Sequence, residues 1–292
     1  MNCAEKGEIK EVMAVECLPA LAPELLKRLQ EGIILYGRTL GMLESAISSE
    51  VIAEVPLIRT KDTQGVVYIS AIALKLAKLW NQPAMQIAAA VADRCTQSQN
   101  RVSFSIRVVF PGSIYLQISD WGLANWLQSL SEFSVVNRNR VASKNLVSLF
   151  PTPENAEQIF PVQYAHARCC SLLRLADREG LIVGGEMHAI PWLKETCLRL
   201  VHPAECRLIS ELVTATDALW QAQAAQSKNW FKVAVDLSQA FESFYSACRI
   251  FGEVQRETPN LALARLGLIQ ATQSVLAWML KNLFGVCAPL EL

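Results

Sequence analysis

The chain has 292 residues with 27 Lys+Arg against 27 Asp+Glu, a formal charge of zero that argues against a basic tail wrapping a polyanion. An apolar share of 52% against a charged share of 18% excludes a disordered composition and supplies one or two packed cores. Mean hydropathy is high at +0.24, but the longest apolar stretch, 266–280, carries Gln270, Thr272, Gln273 and Ser274, which suits a buried helix better than a membrane span.

Residues 1–6 mix acids and bases with no apolar segment, so no signal or transit peptide is visible and a cytoplasmic location is expected. From 20 to 54, Leu21, Leu25, Leu29, Ile33 and Leu40 recur at helical spacing, predicting one or two amphipathic helices. Residues 65–70 lead into a Leu/Ala/Lys-rich helix over 71–80, ended by Asn81 and Pro83, and a second helix follows over 85–94. Alternation over 102–109, a break at Phe110-Pro111-Gly112, and resumption over 114–118 predict a β-hairpin, closed by a helix over 121–130. The first unit therefore reads as a small α+β domain over 1–130.

Residues 131–160 hold Arg138, Arg140 and Lys144 and the prolines Pro151 and Pro153, with Pro161 just beyond, and read as a linker. Beyond it every long segment has helical periodicity: 164–178, 192–200, 203–225, 230–251 and 261–283, with Gly285 placed as a C-terminal cap. Residues 161–292 are thus expected to form an all-α helical bundle.

Nine scattered cysteines without a C-x-x-C read as small buried hydrophobes, and His166, His188 and His202 have no partner at zinc-pair spacing. No metal, cofactor, nucleophile elbow or Gly-rich phosphate loop is expected. Gly184-Gly185 reads as an interhelical turn.

Gln163-Tyr164-Ala165-His166-Ala167-Arg168 resembles the helix that opens the DALR anticodon-binding domain of arginyl-tRNA synthetases. His202-Pro203-Ala204-Glu205, the 240–250 stretch with Phe244-Tyr245 and Cys248-Arg249-Ile250, and the 264–289 stretch with Ala264-Arg265-Leu266 and Ala288-Pro289 are similar to later motifs of that family, in order. Residues 65–130, with Asn81-Gln82-Pro83 and the Pro111-Gly112 turn, bear a fainter likeness to the additional N-terminal domain of the same synthetases. Neither a His-Ile-Gly-His signature nor a Lys-Met-Ser-Lys-Ser-like loop accompanies them. The resemblance therefore implies a non-catalytic protein that binds or presents tRNA, of arginine type, with no site for ATP or amino acid.

The resemblance places Tyr164 and Arg168 on the anticodon side of their helix, where a ring and a guanidinium hold unstacked bases. Four residues apart, they share a face, while His166, Cys170, Leu173 and Asp177 lie opposite, so His166 is expected to be structural. Packing of that helix is an equal expectation for Tyr164 and Arg168. Arg174, with Arg138, Arg140 and Lys144, could extend a basic stripe. After the Pro-Gly turn, where the family places residues that meet the tRNA D-loop, this chain has Ser113, Ile114 and Tyr115, and Tyr115 could stack on a base or simply belong to a hairpin. The tail ends Glu291-Leu292, without the cation that the family carries there.

The charge count pulls the other way: 12 basic against 14 acidic residues from Pro151 onward, and 15 against 13 before it, so neither half is basic. The alternative expectation is a protein-interaction subunit that reuses the fold without RNA, with Trp121, Trp126, Trp192 or Trp230 as an interface anchor and most of these tryptophans in the core.

Overall fold

The computed structural model describes residues 18–41, 54–60, 65–96, 103–139, 156–182, 187, 189–222 and 230–292; side chains of 134–139, 156–158 and 222 are excepted. The expectations placed on Arg140, Lys144, His188, Gly184-Gly185, Cys3 and Cys17 lie outside the described residues, as does any side-chain role for Arg138.

Helix α1 (Ala22–Thr39) follows its sequence pattern, burying Leu25, Leu29, Ile33 and Tyr36 on one face. The short strand β1 (Ile58–Arg59) and β2 (Val67–Ser70) precede helices α2 (Ile72–Trp80) and α3 (Ala84–Thr96). Asn81, the residue that ends α2, adopts the left-handed conformation, φ 49°, that Asn tolerates well. The predicted hairpin is β3 (Phe104–Val109) and β4 (Ser113–Ile118), followed by α4 (Asp120–Asn139). These strands form one antiparallel sheet in the order β1-β2-β4-β3. Tyr68, Ser70, Ile114, Leu116 and Ile118 are buried on its inner face.

The C-terminal part comprises α5 (Ala156–Arg178), a hairpin of β5 (Leu193–Lys194) and β6 (Cys197–Leu198), α6 (Pro203–Ala222), α7 (Trp230–Ala247), α8 (Glu253–Glu257) and α9 (Pro259–Asn282). Helix α9 is central, packed on α4, α5, α6, α7 and α8. Three of the polar residues that interrupt its apolar run are buried with partners: Thr272 Oγ1 donates to Leu268 O, Ser274 Oγ to Gln270 O, and Gln270 Nε2 to Ser131 O on α4. Gly285, φ 63°, ends the helix as expected, with Val286 N donating to Leu280 O at 3.0 Å. Among the described residues no helix is long and apolar enough to cross a membrane.

Two local expectations need correction. The prolines suggested a linker through 160, yet α4 continues to Asn139 and α5 starts at Ala156 and runs through Pro161, because Ile159 and Val162 bury against the core. Residues 192–200 were expected to be helical and form the β5-β6 hairpin instead. Trp192 is buried with Nε1 donating to Gln128 Oε1 at 2.9 Å, and Glu195 turns the chain at φ 58°. Tertiary contacts override helical spacing there.

Side chains of each part are fixed by the other, and the buried apolar residues form one contiguous cluster. Helix α1 has no capping side chain at Leu21; Asp217 on α6 supplies it, with Oδ1 accepting from Leu21 N at 3.1 Å and Ala22 N at 3.0 Å. Asp217 Oδ2 accepts from the buried Tyr68 hydroxyl. Arg59 on β1 donates to Ser210 O, Ser210 Oγ and Thr214 Oγ1 of α6 at 2.6–2.8 Å. Asp120 Oδ2 on α4 accepts from Leu198 N at 2.8 Å.

Gly267 lets this packing close. A Cβ there would stand 2.7 Å from Trp192 Cη2 and 2.8 Å from two carbons of Ile190. Gly267→Ala is expected to cost about 1–3 kcal/mol, the usual penalty for overfilling a packed core, despite the better helix propensity of Ala. An unchanged thermal midpoint would show that residues 190–192 give way.

Candidate nucleic-acid interface

Helix α5 carries the first candidate site. Tyr164 is 43% and Phe160 is 54% exposed, and their rings stack with centroids 6.2 Å apart at 29°. One turn on, Arg168 is half-buried. Its guanidinium lies 4.6 Å from the ring centroid of Tyr245 on α7, and Nη2 donates to the Tyr245 hydroxyl at 2.7 Å. Positions 160, 164 and 168 follow one face at helical spacing, so two rings and a fixed cation form a ribbon that Tyr245 continues onto α7. An open pair of rings beside a guanidinium is a platform on which bases stack without sequence readout.

Arg174 does not join the ribbon as a free cation. Its Nη2 pairs with Glu291 Oε1 at 3.1 Å and donates to Leu290 O at 3.2 Å and Ser171 Oγ at 3.3 Å. The tail thus runs along α5, with Gln163 Nε2 donating to Cys287 O and His166 Nδ1 to Pro289 O at 2.8 Å. Glu291, which has no Arg beside it in sequence, has one in space. His166 is buried, and burial pushes its pKa down, so the neutral ring anchors the tail.

Tyr115 lies on the outer face of the sheet, where Ile58, Ile69, Tyr115 and Arg107 form one cross-strand row. The Arg107 guanidinium is 5.2 Å from the Tyr115 centroid, in a shallow depression of about 270 Å³ that Val67, Ser105 and Gln117 also line. Of its two neighbours, Ile114 is fully buried and Ser113 pairs with Val109. The hairpin tip presents Phe110, 83% exposed.

The remaining motifs meet inside the bundle. Glu205 Oε1 pairs with Arg265 Nε at 2.6 Å, Glu205 Oε2 accepts from His202 N at 2.8 Å, and Arg265 Nη1 donates to Arg249 O. Cys248 Sγ lies 3.4 Å from His202 Nδ1. This Cys-His contact is not an activated nucleophile, since burial pushes the Cys248 thiol up to about 11. Burial also pushes Cys95 up to about 12 and raises Cys169 and Cys206. Cys197 and Cys287 are exposed, contrary to the expectation of burial, because each sits on a chain edge, the β5-β6 hairpin and the tail. Of the tryptophans considered as anchors, Trp126, Trp192 and Trp230 are buried and Trp121 is 51% exposed.

Phe160 and Tyr245 escape the sequence reading as site residues. The 160-164-168 spacing carries the signal for Phe160, but the prolines mask it; Tyr245 lies 77 positions from Arg168, and only the packing of α7 on α5 joins them.

Residues 162–292 match the family model of the DALR anticodon binding domain. Over this part the chain is similar to the arginine-tRNA ligase of Moorella thermoacetica, 38% identical over 133 residues, covering 45% of this chain and 22% of the relative. It is similar to that of Synechococcus sp., 33% identical over 130 residues, 44% of this chain and 21% of the relative. The arginine-tRNA ligase of Frankia alni is 33% identical over 163 residues, 54% of this chain and 28% of the relative. The chain spans about a fifth to just over a quarter of the length of these relatives. No solved structure matches it significantly.

Proposed function

We propose that the protein is a non-catalytic, cytoplasmic tRNA-binding or tRNA-presenting accessory, directed to arginine-type tRNA. The observation that carries this reading is the exposed Phe160-Tyr164 stack beside the Arg168-Tyr245 pair, on the helix that opens a domain matching the anticodon-binding model. Unstacked anticodon bases lie on the rings, Arg168 is held ready by Tyr245, and Tyr115 with Arg107 offers a second stacking point on the sheet. With formal charge zero, affinity comes more from stacking than from phosphate neutralisation.

A mobility-shift titration with purified arginine tRNA and a mixed tRNA pool tests this. Saturable binding that weakens with salt is expected, and Tyr164→Ala should weaken it by about 1–3 kcal/mol, roughly 5- to 150-fold, the loss of one stacked base. No binding at low salt overturns the reading.

Phe110 at the hairpin tip and Ile58 at the sheet edge, 83% and 70% exposed, support a second reading, a protein-interaction subunit. A stable complex that survives RNase, together with no tRNA shift, favours it.

A further inference from the structure

Less than two turns beyond Arg168, helix α5 carries an arginine that already holds an anion. Arg174 Nη2 meets three oxygens: Glu291 Oε1 at 3.1 Å, Leu290 O at 3.2 Å and Ser171 Oγ at 3.3 Å. The bond to Ser171 fixes where the guanidinium lies. Residue 171 is seven positions from 164, two helical turns, and so continues the face of Phe160, Tyr164 and Arg168. The cation is thereby drawn to the edge of the ribbon. Tyr164 and Ser171 stand about 10 Å apart along the axis at 1.5 Å per residue, a span that a short single strand covers when its bases lie on the rings.

A guanidinium beside a hydroxyl is a common cradle for a backbone phosphate. Here a carboxylate fills it, and the filling is loose. The Arg174 side chain is 43% exposed and that of Glu291 79%, and an ion pair so open to water shifts an equilibrium by roughly fivefold at most. Leu290 and Leu292 on either side of Glu291 are also exposed, so releasing the carboxylate uncovers no core. The tail is held independently of it, by His166 Nδ1 on Pro289 O and Gln163 Nε2 on Cys287 O. Glu291 therefore stays beside the site when it lets go, as an intramolecular competitor.

We propose that Arg174 and Ser171 form a phosphodiester site for the strand stacked on the ribbon, and that Glu291 fills this site in the free protein as a stand-in anion that RNA must displace. The proposal rests on the tRNA-binding reading and adds to it the path of the RNA backbone and a built-in competitor for one of its phosphates.

Mobility-shift titrations with tRNA at several salt concentrations compare wild type, Glu291→Gln, Arg174→Met and the double variant, with thermal midpoints showing that each is folded. Glu291→Gln should bind roughly two- to fivefold more tightly at low salt, and the advantage should fade as salt screens the ion pair. In the Arg174→Met background the same change should add nothing, and Arg174→Met should weaken Glu291→Gln more than it weakens wild type. Asp177→Asn, which removes an exposed carboxylate three residues on along α5, should leave affinity unchanged. If wild type binds tRNA and Glu291→Gln binds no more tightly, this proposal is overturned and the tRNA-binding reading stands. A gain that persists with Arg174→Met, or that Asp177→Asn reproduces, is general relief of negative charge and overturns it as well. No binding by any variant overturns both.

Discussion

Glu205→Ala should destabilise the protein by about 3–5 kcal/mol, a hundredfold or more in the folding equilibrium. The Glu205 side chain is 1% and that of Arg265 11% exposed, so deleting the carboxylate leaves an uncompensated guanidinium in the bundle. The same carboxylate accepts from His202 N at the start of α6, where His202 Nδ1 accepts from Ala204 N, and that capping contribution is lost too. Arg265 also closes the end of α7 through Arg249 O, so the loosened guanidinium frees a third element. Replacing both partners with apolar residues of similar size, Glu205→Leu with Arg265→Met, should cost less than either single change, because no buried charge is stranded. Urea unfolding followed by circular dichroism measures all three. A single-variant loss below about 1 kcal/mol would mean that the pair behaves like a surface ion pair.

The second large effect belongs to Asp217. Asp217→Ala strands the Tyr68 hydroxyl and the Leu21 and Ala22 amides, three buried donors, and should cost about 3–5 kcal/mol. Asp217→Asn keeps an oxygen for the amides and should cost less. Burial, the dominant cause, raises the Asp217 pKa above its ordinary 3.8, although Tyr68 and the two amides oppose the shift. A carboxyl whose folded pKa is raised stabilises fully below its unfolded value and loses that contribution as pH rises through the folded one. The stability difference between wild type and Asp217→Asn should therefore shrink, or change sign, from about pH 3.8 upward. A difference that is flat with pH would show that the carboxylate is as well solvated in the fold as out of it.

How much of this was legible in the sequence depends on the range of the interaction. Leu25, Leu29 and Ile33 on α1, the alternation through β3 and β4, and Gly285 beyond α9 are local, and each element lies where its spacing placed it. Pro161 and Trp192 misled because burial outweighed local propensity. The cap on α1 was beyond reach, since its carboxylate lies 196 positions away from Leu21. The motif residues Glu205, Arg249 and Arg265 were visible as resemblances, but that they converge on one buried ion pair is a fact of packing. Arg174 looked like a cation open to phosphate, and only the path of the tail shows that Glu291 occupies it.

The remote cap on α1 also has a consequence for the order in which the molecule assembles. During synthesis, the ribosome has released α1 and the whole sheet long before residue 217 emerges. Until then the first amides of α1 and the Tyr68 hydroxyl have no carboxylate, and the exposed edge of the nascent sheet waits beside an unfinished helix. The N-terminal half is consequently completed only by a residue of the C-terminal half, and a contact that spans so much of the chain slows folding.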